Sequence, residues 1–113
     1  MPDALHLLPL KPLVFQVLLA LSDEDRHGWS LVREAQERLG TRVLPANFYR
    51  TLRTMLSDGL IVDAGRHKPG GDHDERRRYF KLTPLGRDAA RLEARRLQDL
   101  VSDARTRRLL STR

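Results

Sequence analysis

The chain has 113 residues, 40% hydrophobic and 32% charged, which suits one compact domain with an ionic surface and leaves no room for two full cores. Its 21 Lys and Arg against 15 Asp and Glu give a formal charge of +6, which points to a polyanionic partner, nucleic acid before an anionic membrane. The lack of any Cys excludes disulfide frameworks, thiol nucleophiles and Cys-ligated zinc. Residues 1–44 hold five basic and six acidic side chains and 45–64 two of each, so the excess comes from 65–82, six against three, and 83–113, eight against four. Met1-Pro2-Asp3-Ala4 shows no basic leader, and the longest apolar run, Val17 to Leu21, falls far short of the about 20 residues of a bilayer span. A cytoplasmic protein with no membrane partner is expected.

The elements follow in chain order. Leu10, Leu13, Val14, Val17, Leu18 and Leu21 recur at three- and four-residue intervals, predicting a first helix from about 10 to 22, with Pro9 and Pro12 tolerable only near its first turn. Ser22 to Arg26 reads as a polar connection. Leu31, Val32, Ala35 and Leu39 form a second amphipathic run ended by Gly40, suited to a left-handed C-cap. Pro45 opens a third helix with Phe48, Leu52, Met55 and Leu56 as its buried stripe and Gly59 as its stop. The period then changes. Leu60-Ile61-Val62 and Arg78 to Leu82 read as two strands, the second with Phe80 and Leu82 inward and Tyr79 and Lys81 outward, joined across Pro69-Gly70-Gly71. Thr83-Pro84 supplies an N-cap and first-turn Pro for a long final helix, roughly 84 to 110.

Helix, helix, helix, hairpin, helix is the order of a winged helix-turn-helix domain, so the expected class is mainly α with a small β-hairpin. Residues 1–83 would form the DNA-binding unit and 84–113 a C-terminal dimerisation helix. At about 100° per residue, Arg50 falls opposite the buried stripe of the third helix, with Arg53, Thr54 and Asn47 beside it and Tyr49 at the flank. Arg can bond guanine and Asn adenine in a major groove, while the Tyr hydroxyl can reach a phosphate. Arg66, His67 and Lys68 on one arm of the hairpin and Arg76, Arg77 and Arg78 on the other add cations, whereas Asp72, Asp74 and Glu75 make the tip acidic. The arms, not the tip, are expected to meet the DNA backbone. Asn47, Tyr49, Arg50, Arg53, Thr54, Arg66, Lys68, Arg76 and Arg77 are therefore the candidate DNA contacts.

Leu13 to Leu21, His27-Gly28-Trp29, Phe48-Tyr49-Arg50-Thr51-Leu52, Leu56-x-x-Gly59-Leu60-Ile61 and Arg76 to Thr83-x-x-Gly86 occur in an order that resembles the PadR family of bacterial transcriptional regulators, over about residues 10 to 110. Trp29, Phe48 and Asn47 depart from the family pattern, and Asn47 lies where a different base would be read, so no operator sequence is carried over. The resemblance implies a homodimeric repressor joined by its last helix; members of that family can bind flat aromatic effectors between subunits, and the sequence does not show whether a small-molecule effector exists here. Independently, Ala90, Ala94, Leu97, Val101 and Ala104 are spaced 4, 3, 4 and 3, a heptad seam that Leu85, Ala89, Leu92 and Leu100 broaden. Asp88, Glu93, Asp99 and Asp103 among the Arg residues of this helix offer rim pairs. Pairing would set two reading helices about 34 Å apart, one turn of B-DNA, and predicts a palindromic site on double-stranded DNA.

His67, Asp72, His73, Asp74 and Glu75 share one loop, but a Gly-rich tip gives little of the fixed geometry that metal ligation needs, so no metal is assigned. His27 reads as a hydrogen-bonded helix-start residue, and no nucleophile or carboxylate constellation accompanies it; neither an enzyme nor a cofactor is inferred. Trp29 reads as core filling in preference to a ligand wall. The alternative function is a winged-helix protein-interaction module without DNA binding, which the acidic tip and Asp58 favour.

Overall fold

The computed structural model of the chain describes residues 4–39, 44–65 and 78–111. A 3-10 turn at Ala4–Leu7 precedes α1 (Pro12–Leu21), β1 (Arg26–His27), α2 (Gly28–Leu39), α3 (Pro45–Ser57), β2 (Ile61–Gly65), β3 (Tyr79–Leu82) and α4 (Pro84–Thr106). The mostly helical class and the order of the helices are as expected. The sheet is larger: three antiparallel strands in the order β1-β3-β2, with Arg26 opposite Phe80 and His27 opposite Tyr79. Arg26 thus ends no simple connection but starts an edge strand. Its guanidinium also holds the segment in place, donating to the Ala20 carbonyl at 2.7 Å and pairing with Glu24 at 3.5 Å and Glu34 at 3.4 Å. One side chain therefore ties the end of α1 to β1 and α2.

The helices exist because their apolar stripes share one core. Val17, Leu18 and Leu21 of α1, Leu31 and Ala35 of α2, and Phe48, Leu52 and Met55 of α3 are all buried, together with Leu60, Ile61, Phe80 and Leu82. Pro12 and Pro45 occupy first-turn positions, where the missing N–H has no intrahelical acceptor to lose. The Ser30 amide donates to His27 Nδ1 at 3.1 Å, so His27 does start α2 as a hydrogen-bonded residue. Gly40, expected to cap α2, lies outside the described residues. Trp29 is not core filling: it is 48% exposed at the first turn of α2.

The junction of α3, the sheet and α4 is closely packed around Gly86. Gly59 takes φ +79 to stop α3, and the Leu60 amide returns to the Met55 carbonyl at 3.0 Å. Thr83 then caps α4: its hydroxyl accepts from the Gly86 amide at 3.0 Å and donates to the Gly59 carbonyl, while its own amide bonds the Leu60 carbonyl at 3.2 Å. A Cβ on Gly86 would run into that Leu60 carbonyl. The two glycine-bearing motifs of the sequence, around Gly59 and Gly86, therefore meet in space.

On β3 the alternation holds, Phe80 and Leu82 buried and Lys81 exposed. Strand β2 runs on past the expected Leu60–Val62 to Gly65, with an irregular register between Asp63 and Gly65. There the Asp63 carboxylate accepts from the Gly65 amide at 2.8 Å and pairs with Arg78 at 3.2 Å, closing the base of the hairpin. Helix α4 ends at Thr106, short of the expected 110, because Arg108 takes φ 63 and the Leu109 amide turns back to the Ala104 carbonyl at 2.8 Å.

Glu93 corrects another expectation. It is no rim residue but is 2% exposed, faces the N-terminal segment, and is held by two hydrogen bonds from Arg96 at 2.7 and 2.8 Å. Those bonds, opposed by burial and helped by the Leu10 amide, keep its carboxyl below the ordinary range. Because the folded value is the lower one, the stabilisation is present above the ordinary carboxylate value and disappears as pH falls through the folded value. Urea titrations should therefore show stability declining below about pH 4.5, and declining less steeply in Glu93→Gln; an identical slope in the two proteins would contradict this role.

Candidate nucleic-acid interface

Helix α3 is built with one face in and one face out. Phe48, Leu52 and Met55 are at most 2% exposed, while Asn47, Arg50, Arg53 and Thr54 are all exposed on the other side. Helical spacing predicts these four on one free face, and the structure brings them together there. Tyr49 is half-buried at the flank, with its ring edge-on to Phe48 at 5.9 Å. The helix carries two Arg and no acidic residue, and among the described residues no ion pair engages the Arg50 guanidinium. An exposed cation with no carboxylate beside it is available to an anionic or acceptor-rich partner.

Two hydroxyls on this helix are already engaged. Thr51 donates to the Asn47 carbonyl at 3.0 Å and Thr54 to the Arg50 carbonyl at 3.1 Å. At the leading end, Leu44 is the N-cap residue, makes no side-chain cap bond and is 52% exposed. Sequence reasoning missed Leu44; an apolar residue where Ser, Thr, Asn or Asp is usual was the signal available.

The hairpin bears on the same question only at its base. Arg78 is tied to Asp63, so it is partly neutralised. Arg66, Lys68, Arg76 and Arg77 lie outside the described residues, as do His67, Asp72, His73, Asp74 and Glu75. Among the described residues no group of His, Asp and Glu is placed to hold a metal ion, and no helix is long and apolar enough to cross a membrane.

Along α4 the heptad positions are left uncovered toward the C-terminal end. Ala90, Leu97 and Ala104 are half-buried, Ala94 is exposed, and Leu100 and Val101 are 52% and 38% exposed. Nearer the start of the helix, Ala89, which is wholly buried, and Glu93 pack on the domain. Ala89 therefore belongs to the intramolecular core and not to the seam it was expected to broaden.

A helical core, an exposed third helix and a small antiparallel sheet with a hairpin define a winged helix-turn-helix protein. The sequence model of the PadR-like family of transcriptional regulators matches residues 17–92. A transcriptional regulator of Mycobacterium tuberculosis, Rv3488, is 34% identical over 87 residues, 77% of each chain. The chain belongs to the PadR-like family of transcriptional regulators. Its fold is shared with a PadR family regulator from Clostridium difficile, TM-score 0.70 at 20% identity, covering 85% of this chain and 97% of that one. A PadR-like regulator from Bacillus cereus aligns with a TM-score of 0.68 at 21% identity, over 88% and 92% of the two chains.

Proposed function

We propose that the chain is a cytoplasmic repressor that binds a palindromic operator as a homodimer, residues 1–83 reading the DNA and residues 84–113 joining the two copies. The observation that carries this reading is the position of Arg50: exposed, opposite the buried stripe of α3, and on a helix without a carboxylate. A helix of this kind fits a major groove, where Arg50 meets guanine, Asn47 meets adenine, and Arg53 and Tyr49 reach phosphates. Arg66, Lys68, Arg76 and Arg77 on the hairpin arms would grip the neighbouring backbone. The seam of Ala90, Ala94, Leu97, Leu100, Val101 and Ala104 supports the pairing, since small residues let two helices approach closely and leucines fill the gaps between them.

The test divides the two kinds of contact. Arg50→Ala should cost about 1–3 kcal/mol on the preferred duplex and relax preference at one base pair, whereas Arg77→Ala should weaken all duplexes alike. Fluorescence anisotropy with specific and random duplexes reads both; equal losses on both duplexes for both variants would refute the division. A salt titration separates this reading from a protein-docking module. Binding through several phosphates falls steeply with rising salt, and a docking module binds no duplex even at low salt.

A further inference from the structure

We propose that Thr54 reads a thymine through its methyl group, so that the face of α3 that selects sequence is partly apolar. This rests on the reading of α3 as the helix that enters the groove. Thr54 is exposed, one helical turn beyond Arg50 and about 40° from it around the axis. Its hydroxyl proton is engaged by the Arg50 carbonyl at 3.1 Å. With Oγ1 turned back along the helix, the staggered arrangement at Cβ puts the γ-methyl at another position around the Cα–Cβ bond. The core of α3 lies on the opposite side, at Phe48, Leu52 and Met55, so that methyl is left uncovered.

Chemistry then narrows what the residue can recognise. Phosphate oxygens, guanine O6 and N7, and thymine O4 all accept hydrogen bonds, and Thr54 reaches them only by giving up its bond to the Arg50 carbonyl. What remains is the thymine C5-methyl, which matches an aliphatic group, or an exocyclic amine that would donate to Oγ1. Of the two, the methyl contact alone asks nothing of the engaged hydroxyl oxygen, and it is the one proposed. Thr51, whose hydroxyl bonds the Asn47 carbonyl in the same way, is half-buried and is left out of the contact.

The experiment removes the methyl from either side of the contact. A duplex enriched from a random pool by the full chain is remade with single thymine-to-uracil replacements, and affinities are measured by anisotropy. Uracil at one position in each half-site should weaken wild-type binding about fourfold, the loss expected for uncovering one methyl group. Thr54→Ser, which keeps the hydroxyl but loses the methyl from both copies of α3, should bind the thymine duplex about 15-fold more weakly and no longer distinguish uracil there. Thr54→Val, which keeps the methyl and loses the hydroxyl, should retain the distinction. Wild-type indifference to uracil at every position, or a Thr54→Ser variant as sensitive as wild type, overturns the methyl contact. A response lost in Thr54→Val and kept in Thr54→Ser assigns the contact to the hydroxyl and overturns it equally. A pool in which nothing is enriched overturns the groove reading itself, and this inference with it.

Discussion

Leu97→Glu should turn the proposed homodimer into monomers and lower affinity for a two-half-site operator by at least about 100-fold. The reason lies in the two ends of α4. Its leading half is used inside the subunit, where Ala89 has no exposure and Glu93 is locked by Arg96 and the N-terminal segment. From Ala94 onward it presents Ala94, Leu97, Leu100, Val101 and Ala104, of which Leu100 and Val101 are 52% and 38% exposed. A carboxylate placed at Leu97 in the pairing seam would be buried near its own copy, and burying such a charge costs several kcal/mol. Each half-site would then be bound alone. Joining two binding units raises overall affinity by roughly 10²–10⁴, and that gain is what the variant loses. Light scattering on the eluting protein, paired with anisotropy on the operator, reads both effects. An unchanged dimer would remove α4 as the joining element.

Gly86→Ala should destabilise the fold by about 2–4 kcal/mol. The sign is informative, because Gly to Ala within an ordinary helix stabilises by about 1 kcal/mol. Here the added carbon meets the backbone carbonyl of Leu60, just ahead of β2, and main chain cannot swing aside as the end of a flexible side chain could. Moving Leu60 would in turn disturb its carbonyl's bond from the Thr83 amide and its own amide's bond to Met55. The cost is therefore shared among α3, β2 and α4. Calorimetry should show a melting temperature lower by roughly 10 °C for a domain of this size. A rise would mean that the close contact between α4 and β2 does not exist.

Much of the fold is legible from local signals. Pro45 and Gly59 bracket α3 to within two residues, Thr83-Pro84 mark the start of α4, and the alternation on β3 gives Phe80 and Leu82 as buried. Those features depend on the backbone preferences of single residues or on one period, which a sequence carries directly. Two of the failures involve distant partners. Arg26–His27 have no strand character of their own and become a strand because β3 has an edge to pair with. Glu93 reads as a rim residue because it is charged, yet the N-terminal segment crosses over it and brings the Leu10 amide to its carboxyl. Trp29 follows the opposite course, an aromatic residue left half open at the start of α2.

The candidate site divides along the same line. The free face of α3 follows from helical geometry alone, so Asn47, Arg50, Arg53 and Thr54 fall together on the strength of their spacing. What each offers to a partner does not follow from spacing. It depends on the three-dimensional arrangement, with the Thr54 hydroxyl turned to a carbonyl, Arg78 held by Asp63, and an unusual leucine at the leading end of the helix.

Sequencing the duplexes that the full chain retains from a random pool tests paired reading of DNA most directly. Two joined copies of α3 predict enriched inverted repeats, with half-site centres about one turn of B-DNA, roughly 34 Å, apart. Enrichment of a single unrepeated element, or none above the starting pool, would contradict it.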